Sequence, residues 1–490
     1  MEDSFAGRPP MSLAARSILP MAFSIMLSGI HTETRADLGA SPGGHYVRYN
    51  GNTLVLVGDS GTQCVMQNLN IDYRQWIDDC HARGIPAVHI WSFLAPRQRQ
   101  DGSVVEDRYG YVYPGVTPWA RLSPEAPPAT DQLPRWDLTR FDEGTDSAKH
   151  YWPRLRELCA YAKSKSMIVG ITVFFGWPKH NHPDRPDWSY HPFNALNGGF
   201  LTDSGRITTA CQRIFSPGVE VLNEPWSNAW PAAKKSQWVW ERFADKLIRD
   251  AGGHGNVFFL FMDEHSYSEG NCGEHFLRFF RRRGAVWTDW DRRREEVDFV
   301  FSSTFSRDDK NGDAVRSFSK APARPYLHLE GGPYQGEAVR RAIWTFLIGG
   351  GHYFLHNDAG QETVTTGIMG YDPQVAGGDK ATERRGWLGH AARFFNEGIA
   401  DLDHMAPHND LATAGTAYCL ARPGVEYAVY SIAGREFSLD LSAAVGKSLS
   451  ARFYDPRSGK YGPPFQCAGG AVRTFEKPSD ADWALLAQAQ

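Results

Sequence analysis

The chain has 490 residues, with 52 Lys and Arg against 56 Asp and Glu, a formal net charge of −4. That length exceeds one ordinary domain, and the near balance of charge argues against a nucleic-acid partner, which would need a strongly basic face. A hydrophobic share of 42% with 22% charged residues excludes wholesale disorder, and no apolar run is long enough for a membrane span. Aromatic residues make up 13%, including 16 Trp. Such rings either stack on flat ligand faces, sugars included, or build a large aromatic core.

The first forty residues do not read as fold. Arg8 and Arg16 precede the apolar run Ile18–Ile30, which has the length of a signal h-region and is too short to cross a bilayer. Thr34-Arg35-Ala36 offers a small residue at a cleavage point, and Met11 is a second candidate start. Residues 1–36 are therefore expected to be a signal peptide or a disordered leader, and the protein to be secreted or periplasmic. The seven cysteines include no CxxC, so neither a zinc ribbon nor a thioredoxin motif is supported, while Cys419 and Cys467 are close enough in sequence to pair.

From residue 46 onward, eight short runs rich in Val, Ile and Phe alternate with amphipathic stretches. The runs are TLVLVG (53–58), AVHIWSF (87–93), MIVGITVFF (167–175), NVFFLFMDE (256–264), AVWTDW (285–290), DFVFSSTF (298–305), PYLHLE (325–330) and HYFLHN (352–357). Continuous apolar strands suit a parallel sheet covered on both faces. Helices are expected over 71–84, 146–166, 236–253 with Ser236 as N-cap, and 336–351. Eight such units close into a (β/α)8 TIM barrel, here over 45–403. Two long connections, 94–140 and 176–235, follow C-terminal strand ends, where such barrels carry their sites. Residues 408–490 carry short alternating runs between Gly, Pro and Asp turns and read as a small antiparallel β-sandwich. It shows no acid–base constellation, so support of the barrel is its expected role.

Two strands finish in glutamate: the fourth at Asp263-Glu264 and the seventh at Glu330. Strands four and seven lie on opposite sides of a barrel mouth. Glycoside cleavage needs two carboxyl groups, one to protonate the leaving oxygen and one to attack the anomeric carbon or activate water. Apolar surroundings raise a carboxyl pKa and keep one member protonated. A competing motif, VEVLNEP (219–225), offers Asn223-Glu224, but it follows an irregular stretch, and NVFFLFMDE has the better strand and the better preceding helix. Catalysis is therefore assigned to Glu264 and Glu330, with Glu224 in a loop near the cleft.

Candidate sugar-holding residues are Asp59 after the first strand, Trp91 near the end of the second, and Trp177 just after the third. His191 and Asn194 in HPFNALNGG join them, with Asp263, His265 and His328 near strand ends and His356 and Asn357 closing the eighth strand. His180, His182 and Asp184 in HNHPD fit no zinc spacing, and Asp309, Asn311 and Asp313 misplace the glycine of a calcium loop. No metal and no cofactor is expected: there is no Walker loop, GxGxxG or GxSxG.

These residues resemble the apiosidase-like (DUF4038-type) glycoside hydrolases over roughly 45–490. The resemblance rests on the order of RYNGNTLVLVGDS, HPFNALNGG, NVFFLFMDE, YLHLEGG and RRAIWTFLIGGG, then FYDPRSGKYG and FEKPSDADWALL. It implies a TIM barrel of the retaining-glycosidase superfamily with a C-terminal collagen-binding-type β-sandwich, Glu264 as acid/base and Glu330 as nucleophile. Asp263 departs from that pattern, where Asn usually precedes the acid/base, and His89 stands where Arg is common. The expected function is retaining hydrolysis of a poly- or oligosaccharide by double displacement. The alternatives are a non-catalytic carbohydrate-binding barrel and an inverting glycosidase. The expected partner is a carbohydrate, with no nucleic acid and no membrane span; the sequence does not set the oligomeric state.

Overall fold

A computed structural model describes residues 38–61, 65–67, 69, 71–93, 105–106, 112–113, 116–175, 190–202, 214–263, 271–302, 309–331, 336–355, 378–414 and 416–490. The expected leader, 1–36, lies outside the described residues.

Eight parallel strands close a barrel in chain order. They are β1 (Val57–Asp59), β2 (Ala87–Trp91), β3 (Ile168–Phe175), β4 (Val257–Asp263), β5 (Val286–Trp290), β6 (Phe299–Ser302), β7 (Tyr326–Gly331) and β8 (His352–Leu355). The helices are α1 (Tyr73–Ala82), α2 (Tyr151–Ser164), α3 (Ala232–Asp250), α4 (Cys272–Arg282), α5 (Asn311–Phe318), α6 (Glu337–Ile348) and α7 (Gly378–Arg393); α1, α2, α3 and α6 meet the four expected from the sequence, and α4, α5 and α7 are additional. The unit after β5 has only a 3-10 segment, Asp291–Glu296. Phe258, Leu260, Phe299, Phe301, Leu327, Leu329 and Phe354 fill the lumen, so the barrel is a packed core. Outward residues such as Phe259, Val300 and Tyr353 join the larger layer beneath the helices.

Local chemistry explains the element ends. The Asp72 carboxylate accepts from the Arg74 and Gln75 amides and starts α1, and Gly84, at φ +81°, follows its end. Two expectations need correction. The first run, 53–58, is divided: Asn52–Leu54 pairs antiparallel with Val47–Tyr49, and the barrel strand begins only at Val57. The Asn396 side-chain amide takes both backbone groups of Val55, at 2.8 and 3.0 Å, and His352 Nδ1 accepts from the Leu56 amide, so side chains take these three groups while the Leu56 carbonyl still accepts from the Tyr353 amide at 2.9 Å. Ser236 is not an N-cap: α3 starts at Ala232 behind Pro231, because Ala-Ala-Lys-Lys are good helix formers that extend it by a turn.

Residues 406–489 form two antiparallel sheets. The larger runs 406–407, 417–422, 426–431, 483–489, 448–455 and 460–461, with 465–468 also on 448–455; the smaller runs 412–414, 436–440 and 472–476. Cys419 and Cys467 are unpaired. Their strands stand four places apart in the sheet, ~19 Å at about 4.8 Å per strand, far beyond disulfide reach.

Barrel and sandwich share one compact unit, Arg35–Gln490. Leu420, Ala428, Tyr430, Tyr454, Ala484 and Leu486 enter the same hydrophobic cluster as α6 and α7. The Trp344 ring lies on Tyr430 with centroids 5.4 Å apart. Arg340 donates to Asp482 at 2.7 and 2.9 Å, and the Tyr430 hydroxyl donates to the same carboxylate at 2.8 Å.

Two buried histidines give the fold a pH dependence. His352 accepts from the Leu56 amide through Nδ1 and donates from Nε2 to the His45 carbonyl, which fixes the neutral ring. Burial pushes it down to about 4, and His191 to about 3. The unfolded chain, with histidine near about 6.5, takes these protons first. Stability is therefore full above about pH 6.5 and falls as pH drops toward 4. Urea unfolding is expected to show a lower midpoint at about pH 4.5 than at about pH 7.5; equal midpoints would contradict the assignment.

Candidate active site

The inward positions of a strand recur every second residue. On β2 that series is Ala87, His89 and Trp91, since Ala87 lies in the lumen cluster. His89 spans the barrel wall, with Nδ1 3.1 Å from Ser60 Oγ and Nε2 2.8 Å from Thr172 Oγ1. It stands 4.6 Å from the Trp91 ring. Trp91 is buried at the mouth end of that series. A second tryptophan, Trp290, reaches the same level from β5; it is half-buried and packs on Phe301 at 4.8 Å. Sequence reasoning missed Trp290, although its place two residues after Thr288 at a strand's C-terminal end was the available signal.

The seventh strand carries the decisive geometry. Leu327 and Leu329 face the lumen, while Tyr326 and His328 face α6 and the neighbouring strand: the His328 ring is 5.4 Å from Phe346 and 5.1 Å from Tyr353. A regular strand would carry this alternation on and put position 330 outside with them. The ladder does not stay regular. His328 pairs with Tyr353, but Gly331 pairs with Leu355, so three residues on β7 span what two span on β8. Tyr353 and Leu355 are both outward, which makes His328 and Gly331 both outward. The extra residue of β7 therefore lies between His328 and Gly331, next to the lumen-facing Leu329. Bulges of this kind re-aim a residue beside active sites. Of Glu330, as of Asp263 at the end of β4, only the strand position is described.

Glu264, His265, Trp177, His356 and Asn357 lie outside the described residues. So does the HNHPD segment. Position 264 directly follows the C-terminal end of β4, as position 330 lies one residue from the end of β7.

The structure does not bring Asp59 and His328 to the mouth. Asp59 is fully buried on the outer face of β1, accepting from Trp76 Nε1 of α1 at 3.0 Å and from the Gly61 amide at 3.1 Å, with Arg385 of α7 3.7 Å away. It ties the β1–α1 turn to two helices. His328 is outward by the strand period just described. His191 and Asn194 organise their own loop. His191 Nδ1 accepts from the Phe193 amide at 3.1 Å, and Asn194 Oδ1 accepts from the Leu196 amide at 3.0 Å. The loop closes on Gly199, where an added Cβ would lie 2.0 Å from the Phe193 backbone.

Glu224 is held elsewhere. Its carboxylate meets Lys234 at 2.6 Å on the surface. The preceding segment is stapled to α3 by the buried Glu241, which accepts from the Val221 and Leu222 amides, each at 2.7 Å, and meets His275 Nε2 at 2.9 Å. The Asn-Glu-Pro motif thus sits on a turn outside the barrel sheet. Among the described residues no group of His, Cys, Asp and Glu is arranged to hold a metal, and no helix is long and apolar enough to cross a membrane.

Residues 408–488 match the family model described as "Putative collagen-binding domain of a collagenase". No curated protein sequence matches the chain. Solved structures share the fold, among them two glycoside hydrolases. One, described as "Glycoside hydrolase", is 12% identical with a TM-score of 0.62, over 93% of this chain and 97% of its own. The other is a glycoside hydrolase family 5 structure from Bacteroides vulgatus, 14% identical with a TM-score of 0.62, over 93% of this chain and 94% of its own. At such identities the likeness is one of fold, and it spans barrel and sandwich together.

Proposed function

We propose that the protein is a retaining glycoside hydrolase acting on a poly- or oligosaccharide, with Glu330 as nucleophile and Glu264 as acid/base. The observation that carries this is the β7 bulge, an irregularity at the C-terminal rim of the barrel in the segment between His328 and Gly331 that contains position 330. Position 264 follows the end of β4, three strands away around the same rim. Glu330 would attack the anomeric carbon as Glu264 protonates the departing oxygen. Water deprotonated by Glu264 would then displace Glu330 and release the sugar with net retention. The names carried by the two structures of like fold agree with this chemistry, and the motif order with the match over 408–488 supports a place among the apiosidase-like enzymes. Trp91 and Trp290 supply rings at the level of the mouth. We further propose that residues 1–36 export the chain, where a polysaccharide would be met.

Proton NMR of the first-formed anomer tests the mechanism: the substrate's own configuration is expected, and the opposite one would make the enzyme inverting. Glu224→Ala tests the assignment on β4. Turnover is expected to change by less than about twofold, as for a surface substitution; a loss comparable to the general-acid contribution, about 10²-fold or more, would move the acid/base to Glu224.

A further inference from the structure

The sandwich contains a cleft of about 680 Å³, within the size range of saccharide and small-ligand sites. It arises because the sheets are unequal. The three-stranded sheet ends at 472–476 and leaves the ribbon of 448–455 with 465–468 uncovered at one side. Aromatic rings line the gap in series: Trp483 to Phe453 at 6.3 Å, Phe453 to Phe465 at 5.9 Å, and Phe465 to Phe475 at 6.2 Å. Phe465 is 37% exposed and Trp483 partly exposed, so these two rings are the ones a ligand can reach, with Phe453 and Phe475 buried behind them. Around these rings stand Asp455 and Glu476 against Lys460 and Arg473, two charges of each sign, with Gln466 and Thr474 between them.

We propose that this cleft is a second carbohydrate-binding site, which takes an uncharged stretch of the polysaccharide on which the barrel acts. Balanced charge disfavours an anionic or cationic ligand. Rings for the apolar face of a sugar, and a polar border able both to donate to hydroxyls and to accept from them, are what a neutral glycan requires. A collagen triple helix is a rod of three chains, broader than a pocket of this volume embraces. The contact of Trp344 with Tyr430 and the Arg340–Asp482 pair fix the sandwich to the barrel, so a chain held in the cleft is tethered to the barrel. The proposal rests on the glycosidase reading for the sugar class only, because binding here does not involve Glu330.

Native affinity electrophoresis of the full chain carrying Glu330→Gln, in gels containing soluble xyloglucan, arabinoxylan or galactomannan, all uncharged, tests it. Retardation is expected in at least one gel. Phe465→Ala and, independently, Trp483→Ala are expected to weaken it about tenfold or more, while circular dichroism and thermal midpoint report that the sandwich remains folded. No retardation in any gel overturns the proposal. So does retardation unchanged in a folded Phe465→Ala variant, or binding only to a Gly-Pro-Hyp triple-helical peptide. Retardation without hydrolysis by the unsubstituted chain would instead remove the catalytic reading and leave this one standing.

Discussion

Glu330→Gln is expected to lower turnover on the order of 10³-fold or more while the thermal midpoint stays nearly unchanged. The amide has the shape of the carboxylate but cannot form the glycosyl ester, so the first displacement stops. The substitution keeps the bulge, because the register shift is a property of the β7 and β8 backbones. Glu264→Ala is expected to cost about 10² to 10⁴-fold, least with substrates whose leaving group departs without protonation. Steady-state kinetics on one aryl glycoside and one natural polysaccharide separate the two roles. Unchanged turnover in Glu330→Gln would remove the residue from the mechanism.

Asp482→Ala is expected to cost about 3 kcal/mol of stability. The carboxylate is 4% exposed and faces Arg340, itself 2% exposed, so the substitution leaves a cation inside the interface whose remaining ion-pair partner among the described residues is the exposed Glu337 at 3.3 Å. Burial by itself would raise the Asp482 carboxyl, but the hydrogen bond and charge of Arg340, with the Tyr430 hydroxyl, outweigh it and hold the group below the ordinary aspartate range. Its contribution is therefore complete above about pH 4, the unfolded value, and is lost as pH falls through the lower folded value. Chemical unfolding monitored by tryptophan fluorescence should show the midpoint falling in Asp482→Ala, while Arg340→Met with Asp482→Leu, which removes both charges, recovers most of the loss. An undisturbed midpoint in Asp482→Ala would show that the junction does not depend on this pair.

Most of the barrel was legible because a strand buried on both faces must be apolar throughout, and eight such runs occur in the chain. The sandwich was legible from its alternation and turns. Side-chain interception of the ladder at Val55 and Leu56 was not, since it depends on Asn396 and His352, some three hundred residues away in sequence. The same limit governed the site. PYLHLE has a simple alternation, and that alternation alone assigns His328 and Glu330 to one face. The bulge breaks that alternation after His328, which packs against Phe346. Asp59 is a sugar-holding candidate in the sequence because it follows a strand, yet its partners, Trp76 and Arg385, come from the first and last helices. Strand identity is written locally; which way a strand-end residue turns is set by distant neighbours.

The central claim is that the carboxyl group of Glu330 becomes covalently bonded to sugar during turnover. Incubation with a 2-deoxy-2-fluoro glycoside of the hydrolysed sugar, followed by peptide mass spectrometry, tests it directly. One glycosyl adduct on the peptide containing Glu330, absent from Glu330→Gln, is the expected result; an adduct on Glu224, Glu264 or any other side chain would contradict it.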